Sequence, residues 1–225
     1  MFRYQCPSRM IVYALFVVLT CVGCTNQKQQ KMEKSSGQET VIPEQIKILI
    51  LGDSLTDGYG VSREQAYPAQ LEKILQKQGL QVRIINAGSS GSTSASALER
   101  LQWHMQAKPD ILLLALGGND GLRGVSITAT FENLARTIDL AKANDIRVFL
   151  ASMKLPYNYG QDYRTSFEGM YERLVQDKDI QAVPFMLEGV GGVKEMNLPD
   201  GIHPNEQGHV KIANNMATFF LSELP

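Results

Sequence analysis

Between Thr25 and Pro225 the chain has no cysteine; its three cysteines, Cys6, Cys21 and Cys24, all fall near the N-terminus. A chain that begins at Cys24 has no partner for an intramolecular disulfide, so its fold has to stand on its core alone. An excess of charge of one sign is missing too. With 22 basic and 23 acidic residues and a net charge of -1, nothing marks a basic face for nucleic acid. Small molecules, lipids and neutral polymers are left as partners, and no obligate protein partner is evident. The apolar run from Ile11 to Leu19 is too short to cross a bilayer comfortably. No internal repeat occurs. From Thr25 onward, where no cysteine occurs, there is no zinc-type combination of Cys and His pairs, and no metal or other cofactor is expected. A Gly-x-Ser-x-Gly elbow and a Gly-x-x-x-x-Gly-Lys phosphate loop are also absent, which disfavours the ordinary α/β-hydrolase and nucleotide-binding readings.

The 225 residues are 44% apolar and 20% charged, which suits one globular domain. A region of about 180 residues should bury roughly 70% of its unfolded surface, enough for independent stability. The first residues read differently. Arg3 and Arg9 precede the apolar run, and small residues and cysteine follow, as in an export signal. Val22-Gly23-Cys24 resembles the end of a bacterial lipoprotein signal, although Cys21 stands where Leu is usual. The expected division is a lipoprotein-type signal over residues 1–23, a lipidated Cys24 with a flexible tether over 24–44, and a globular domain over 45–225. Plain secretion and an uncleaved anchor are the alternatives. Lipidation would place the protein in the bacterial cell envelope, held on a membrane and facing the periplasm or the cell surface. Without residues 1–23 the balance is 20 basic to 23 acidic residues. Thr25 to Glu44, rich in Gln, Lys, Ser and Glu, is too polar to repay its own ordering.

From Gln45 the chain alternates. Apolar strands are predicted at 46–51, 82–85, 111–116, 146–150 and 182–185. Helical spacing is predicted at 65–78, 94–106, 131–143, 165–176 and 205–221. Five strands alternating with helices imply an α/β fold, with a parallel sheet between helix layers. Ligands of such sheets collect beyond the carboxyl ends of the strands. Gly52–Gly60, Asn86–Thr93, Gly117–Gly121 and Asp200–Asn205 all fall there or just before the last helix.

Those clusters hold the chemistry. Ser54 sits where strand one stops at a Gly/Asp turn, although a serine there also suits a helix N-cap. His203, one of three histidines, lies in a Gly/Pro turn three residues after Asp200. The carboxylate can take the Nδ1 proton and leave Nε2 to a hydroxyl, which is the arrangement of nucleophile, base and orienting acid. A turn residue and a surface imidazole are the alternatives. His104 and His209 read as packing or surface residues. Gly88-Ser89-Ser90-Gly91 can offer backbone N–H groups, and Asn119 a side-chain N–H, to charge developing on a carbonyl oxygen.

Gly52-Asp53-Ser54-Leu55, Gly91, Gly117-Gly118-Asn119-Asp120 and Asp200-Gly201-Ile202-His203-Pro204 resemble, in order, the four motif blocks of the SGNH (GDSL) hydrolases. The likeness covers about 180 residues and is strongest to the bacterial arylesterase, thioesterase and lysophospholipase branch. Gly117 to Gly124 and Leu155 to Gly160 look like that branch's own segments. The resemblance implies a three-layer α/β/α sandwich with a five-stranded parallel sheet. It implies Ser54 as nucleophile, His203 as base and Asp200 as its orienter. An oxyanion hole would form from the Ser54 N–H, the Gly91 N–H and the Asn119 side chain, with Gly121 to Ser126 a mobile loop over the acyl pocket. Thr56-Asp57 departs from the family, which commonly has small residues there, and puts an extra carboxylate near the nucleophile. The expected reaction is hydrolysis of acyl esters, thioesters or lysophospholipids through an acyl-enzyme. Removal of acetyl groups from envelope or extracellular polysaccharide is the alternative, and a non-catalytic binding lipoprotein a third.

Overall fold

The computed structural model describes residues 45–224. The readings for the signal, for Cys24 and for the tether lie outside the described residues, as does Pro225.

Chain order begins with β1 (Ile46–Gly52), the short helix α1 (Ser54–Asp57), α2 (Tyr67–Lys77) and β2 (Val82–Gly88). Then come α3 (Ala97–His104), β3 (Ile111–Ala115), α4 (Gly118–Leu122), α5 (Ile127–Lys142) and β4 (Arg147–Ala151). The chain closes with α6 (Gln161–Lys178), β5 (Gln181–Val183) and α7 (Glu206–Glu223). All five strands are parallel, in the order β2-β1-β3-β4-β5. α2 and α7 pack on each other over one face, while α3, α5 and α6 form the other layer. The three-layer α/β/α reading stands.

The strands form because their apolar runs are covered twice. Every residue of β3 and all of Ile48 to Leu51 are buried, which only a sheet with helices on both faces allows. The expected second strand runs three residues further, to Gly88, because Asn86 and Ala87 continue the ladder beside β1. The fifth is cut back to Val183, since Pro184 has no N–H to extend it. The expected 94–106 helix is α-helical only over α3, with a 3₁₀ turn at each end. α5 starts four residues earlier than its apolar spacing suggests, where Ser126 caps Ala129 N–H.

β1 lies inside the sheet between β2 and β3, and the strand order reverses there, so the sheet's topological switch lies at its carboxyl end. Ser54 follows two residues after that end.

Candidate active site

Gly52 shapes the entry to the site. A Cβ there would stand 1.9 Å from Thr56 Oγ1, so only glycine lets the chain turn this tightly into α1. Asp53 caps the turn by accepting the Leu55 N–H at 3.1 Å. Ser54 then projects from the rim, with its Oγ 3.0 Å from His203 Nε2. His203 Nδ1 is 2.7 Å from Asp200 Oδ2. The other Asp200 oxygen accepts the backbone N–H groups of Ile202 at 2.9 Å and His203 at 3.0 Å. One carboxylate thus holds both the imidazole and the turn that carries it. These bonds keep its pKa down to about 2, the His203 backbone N–H contributing most and the imidazole next. The turn is closed by Leu198 N–H donating to His203 O at 2.7 Å. The Tyr59 ring stands 4.6 Å from the imidazole, centroid to centroid.

A second wall rises from β2. Ser89 N–H donates to Gly52 O at 3.2 Å, and Ser92 N–H to Ser89 O at 3.1 Å. Gly91, at φ +77°, makes the reversal between them. Among the described residues, no hydrogen bond takes up the N–H of Gly91 or of Ser54. The third wall is α4. Asn119 Nδ2 donates one proton to Ser92 O at 3.0 Å, which fixes the amide and ties α4 to the Gly91 turn. Every residue singled out in the sequence for the reaction therefore lies on one rim.

Residues 50–211 match the profile of the GDSL-like Lipase/Acylhydrolase family. The chain belongs to that family. It is 38% identical over 170 residues to "Esterase TesA" of Pseudomonas aeruginosa, covering 75% of this chain and 85% of that one. It is 36% identical over 179 residues to an "Arylesterase" of Vibrio mimicus, with 79% and 90% covered. The "Thioesterase 1/protease 1/lysophospholipase L1" of Escherichia coli K12 is 38% identical over 171 residues, with 76% and 81% covered. Among solved structures, TesA superposes with a TM-score of 0.76 at 37% identity, covering 79% of this chain and 99% of that one. The esterase EstA of Pseudoalteromonas sp., inhibited by monoethylphosphonate, matches with a TM-score of 0.76 at 30% identity, covering 79% and 98%. This GDSL hydrolase is a serine esterase of the Ser-His-Asp type.

Three further groups of the GDSL hydrolase shape the site and were not singled out in its sequence. Asp53, read there as a turn former, is only 3% exposed, and burial raises its pKa to about 6 against the opposing pull of Leu55 N–H and His203. Arg100 Nη2 donates to Gly52 O at 2.8 Å and also to Ala87 O, clasping the ends of β1 and β2. Asp120 is buried and accepts from Ser94 N–H at 2.8 Å, Ser94 Oγ at 2.6 Å and Thr130 Oγ1 at 3.3 Å. It locks α4 to the Gly91 segment and to α5. Asp120 had a sequence signal, since it sits between two glycines of a Gly-rich turn beside Asn119. Arg100 had none, for a helical arginine reads as a solvated residue until the strand ends beneath it are known.

Proposed function

We propose that this hydrolase cleaves acyl esters and thioesters, lysophospholipids among them, through an acyl-enzyme on Ser54. The observation that carries the reading is the continuous line from Asp200 Oδ2 through His203 to Ser54 Oγ, with contacts of 2.7 and 3.0 Å. Neutral His203 takes the Ser54 proton at Nε2 as Oγ attacks the acyl carbon. Asp200, ionised far below neutral pH, fixes the tautomer and offsets the imidazolium charge. The Ser54 and Gly91 N–H groups and the remaining Asn119 amide proton receive the oxyanion, each donor worth roughly 3 kcal/mol. Imidazolium then protonates the leaving oxygen or sulfur, and water, deprotonated by the same ring, releases the acid. The names of the relatives, esterase, arylesterase and thioesterase/lysophospholipase, support this range of substrates. The N-terminal sequence supports export and a lipid anchor at Cys24 on the cell-envelope membrane.

The test is a panel of p-nitrophenyl esters of rising chain length, acyl-CoA, a lysophospholipid and an acetylated glycan, on the detergent-purified full chain. Acyl esters longer than acetyl should be hydrolysed, and Ser54→Ala should lower kcat by about 10⁶ at unchanged melting temperature. A Ser54→Ala rate equal to wild type rejects the mechanism, and turnover of the glycan alone rejects the substrate class. A mass spectrum of the membrane fraction should show acylated Cys24; an unmodified soluble chain with another N-terminus rejects the anchor.

A further inference from the structure

Asp57 is the last residue of α1, three positions after Ser54, and its side chain is exposed. Its Oδ2 accepts a hydrogen bond from Ser90 Oγ at 2.6 Å. Ser90 immediately precedes Gly91, whose N–H has no hydrogen-bond partner among the described residues. Two further ties join the same pair of elements below. Asn86 Nδ2 donates to Thr56 O at 2.8 Å, and Gly88 lies so close that a Cβ on it would meet Asp57 N at 2.1 Å. Those two fix where β2 ends. The turn beyond is held at its ends, by Ser89 N–H on Gly52 O and by Ser92 N–H on Ser89 O. Among the described residues, its central peptide, between Ser90 and Gly91, has only the Ser90 side chain to fasten it. That peptide carries the Gly91 N–H.

We propose that Asp57 is a positioning residue for the oxyanion hole, acting through the Ser90 hydroxyl to hold the Gly91 N–H in place relative to Ser54. The proposal rests on the reading of Ser54 and Gly91 given above. A hydrogen bond to a carboxylate is shorter and stronger than a neutral one, so it restrains the peptide more tightly than water would. The tie matters most when charge appears on the carbonyl oxygen, because a loosely held donor must first be reoriented. The expected signature is therefore a loss in kcat with little change in KM. Since both side chains lie at the surface, their removal should leave the core intact.

The experiment compares Asp57→Ala, Ser90→Ala, the double variant and Asp57→Asn in the full chain, on one p-nitrophenyl ester. It adds the rate of inactivation by an alkyl phosphonate, whose tetrahedral adduct uses the same donors. Each alanine variant should lose about tenfold in kcat, given that small misplacements near a reacting centre cost up to a hundredfold. KM should stay within about twofold and the phosphonylation rate should fall in parallel. The double variant should be no worse than either single one, because both delete the same bond. Asp57→Asn retains an acceptor for Ser90 and should recover most of the loss. Wild-type kcat in Asp57→Ala, additive losses in the double variant, or a loss matched by a lower melting temperature that Asp57→Asn leaves unrepaired would each overturn the proposal. Ser54→Ala serves as the reference: if it stays active the mechanism itself fails, whereas if it is dead and Asp57→Ala is normal, only the positioning role fails.

Discussion

His209 shows what a fully buried imidazole does. Its Nδ1 accepts the Tyr67 N–H at 3.1 Å, so the proton sits on Nε2, which among the described residues has no partner and no exposure to solvent. Burial lowers its pKa from 6.5 to about 4. Between those values the unfolded chain binds a proton that the folded one refuses, so His209 removes stability as pH falls from 6.5 to 4. Asp53 acts in the opposite direction. Its folded pKa of about 6 exceeds the ordinary 3.8, so the folded protein holds a proton that the unfolded chain has released. Acidification from 6 towards 4 therefore restores stability that ionisation of Asp53 had taken away. Each group spans about two pH units, or roughly 3 kcal/mol at most, so their effects largely cancel. The stabilising effect of Asp200 is lost only below that window, as pH falls from 3.8 towards 2. Urea midpoints measured from pH 6.5 to 4 should show His209→Gln gaining stability on acidification relative to wild type, and Asp53→Asn losing it. Variant slopes parallel to wild type would contradict both assignments.

Elements with a regular apolar pattern were legible, and those built on glycine were not. The runs in β1 and β3 have a single reading, strand covered on both faces, and the structure gives them that. α1 and α4 were invisible as helices because each is short and bordered by glycine, Gly58 after α1 and Gly117 before α4, where propensity argues for a loop. Their formation depends on tertiary fit. Gly117 shows the difference: at φ +112° it turns the chain from β3 into α4, and a Cβ there would lie 2.1 Å from Tyr171 Oη. That hydroxyl itself donates to Leu116 O at 2.9 Å. Gly117→Ala is thus expected to lose about 3 kcal/mol or more in urea unfolding, from backbone strain and collision together. Gly124→Ala, at φ +66° with open space around it, should lose only about 1 kcal/mol. Equal losses at the two positions would show that backbone conformation, not packing against Tyr171, is what glycine supplies at 117. The edge of the sheet was equally hidden. Glu72 takes the Ile84 N–H at 2.6 Å and Gln76 donates to Val82 O at 3.0 Å, closing the outer side of β2.

Across the whole molecule, alternating strands and helices announced a parallel sheet, but no local pattern states which strands are neighbours. Ser54, His203 and Asp200 were legible because turn residues at fixed spacing identify them. The ties through Asp57, Arg100 and Asp120 were not, because each joins parts of the chain that meet only after folding. The same holds for α7, which begins just beyond His203 and packs against α2, with His209 bonded to the backbone of Tyr67. Ser54 thus belongs to the first strand-helix unit of the domain and His203 to the last. Activity consequently has to wait for the end of the chain: a polypeptide still emerging from the ribosome is expected to stay inert towards ester until the segment that carries His203 is released and packed. A chain clipped before residue 203 should remain silent in an ester assay however well its remainder collapses, and turnover by it would contradict this order.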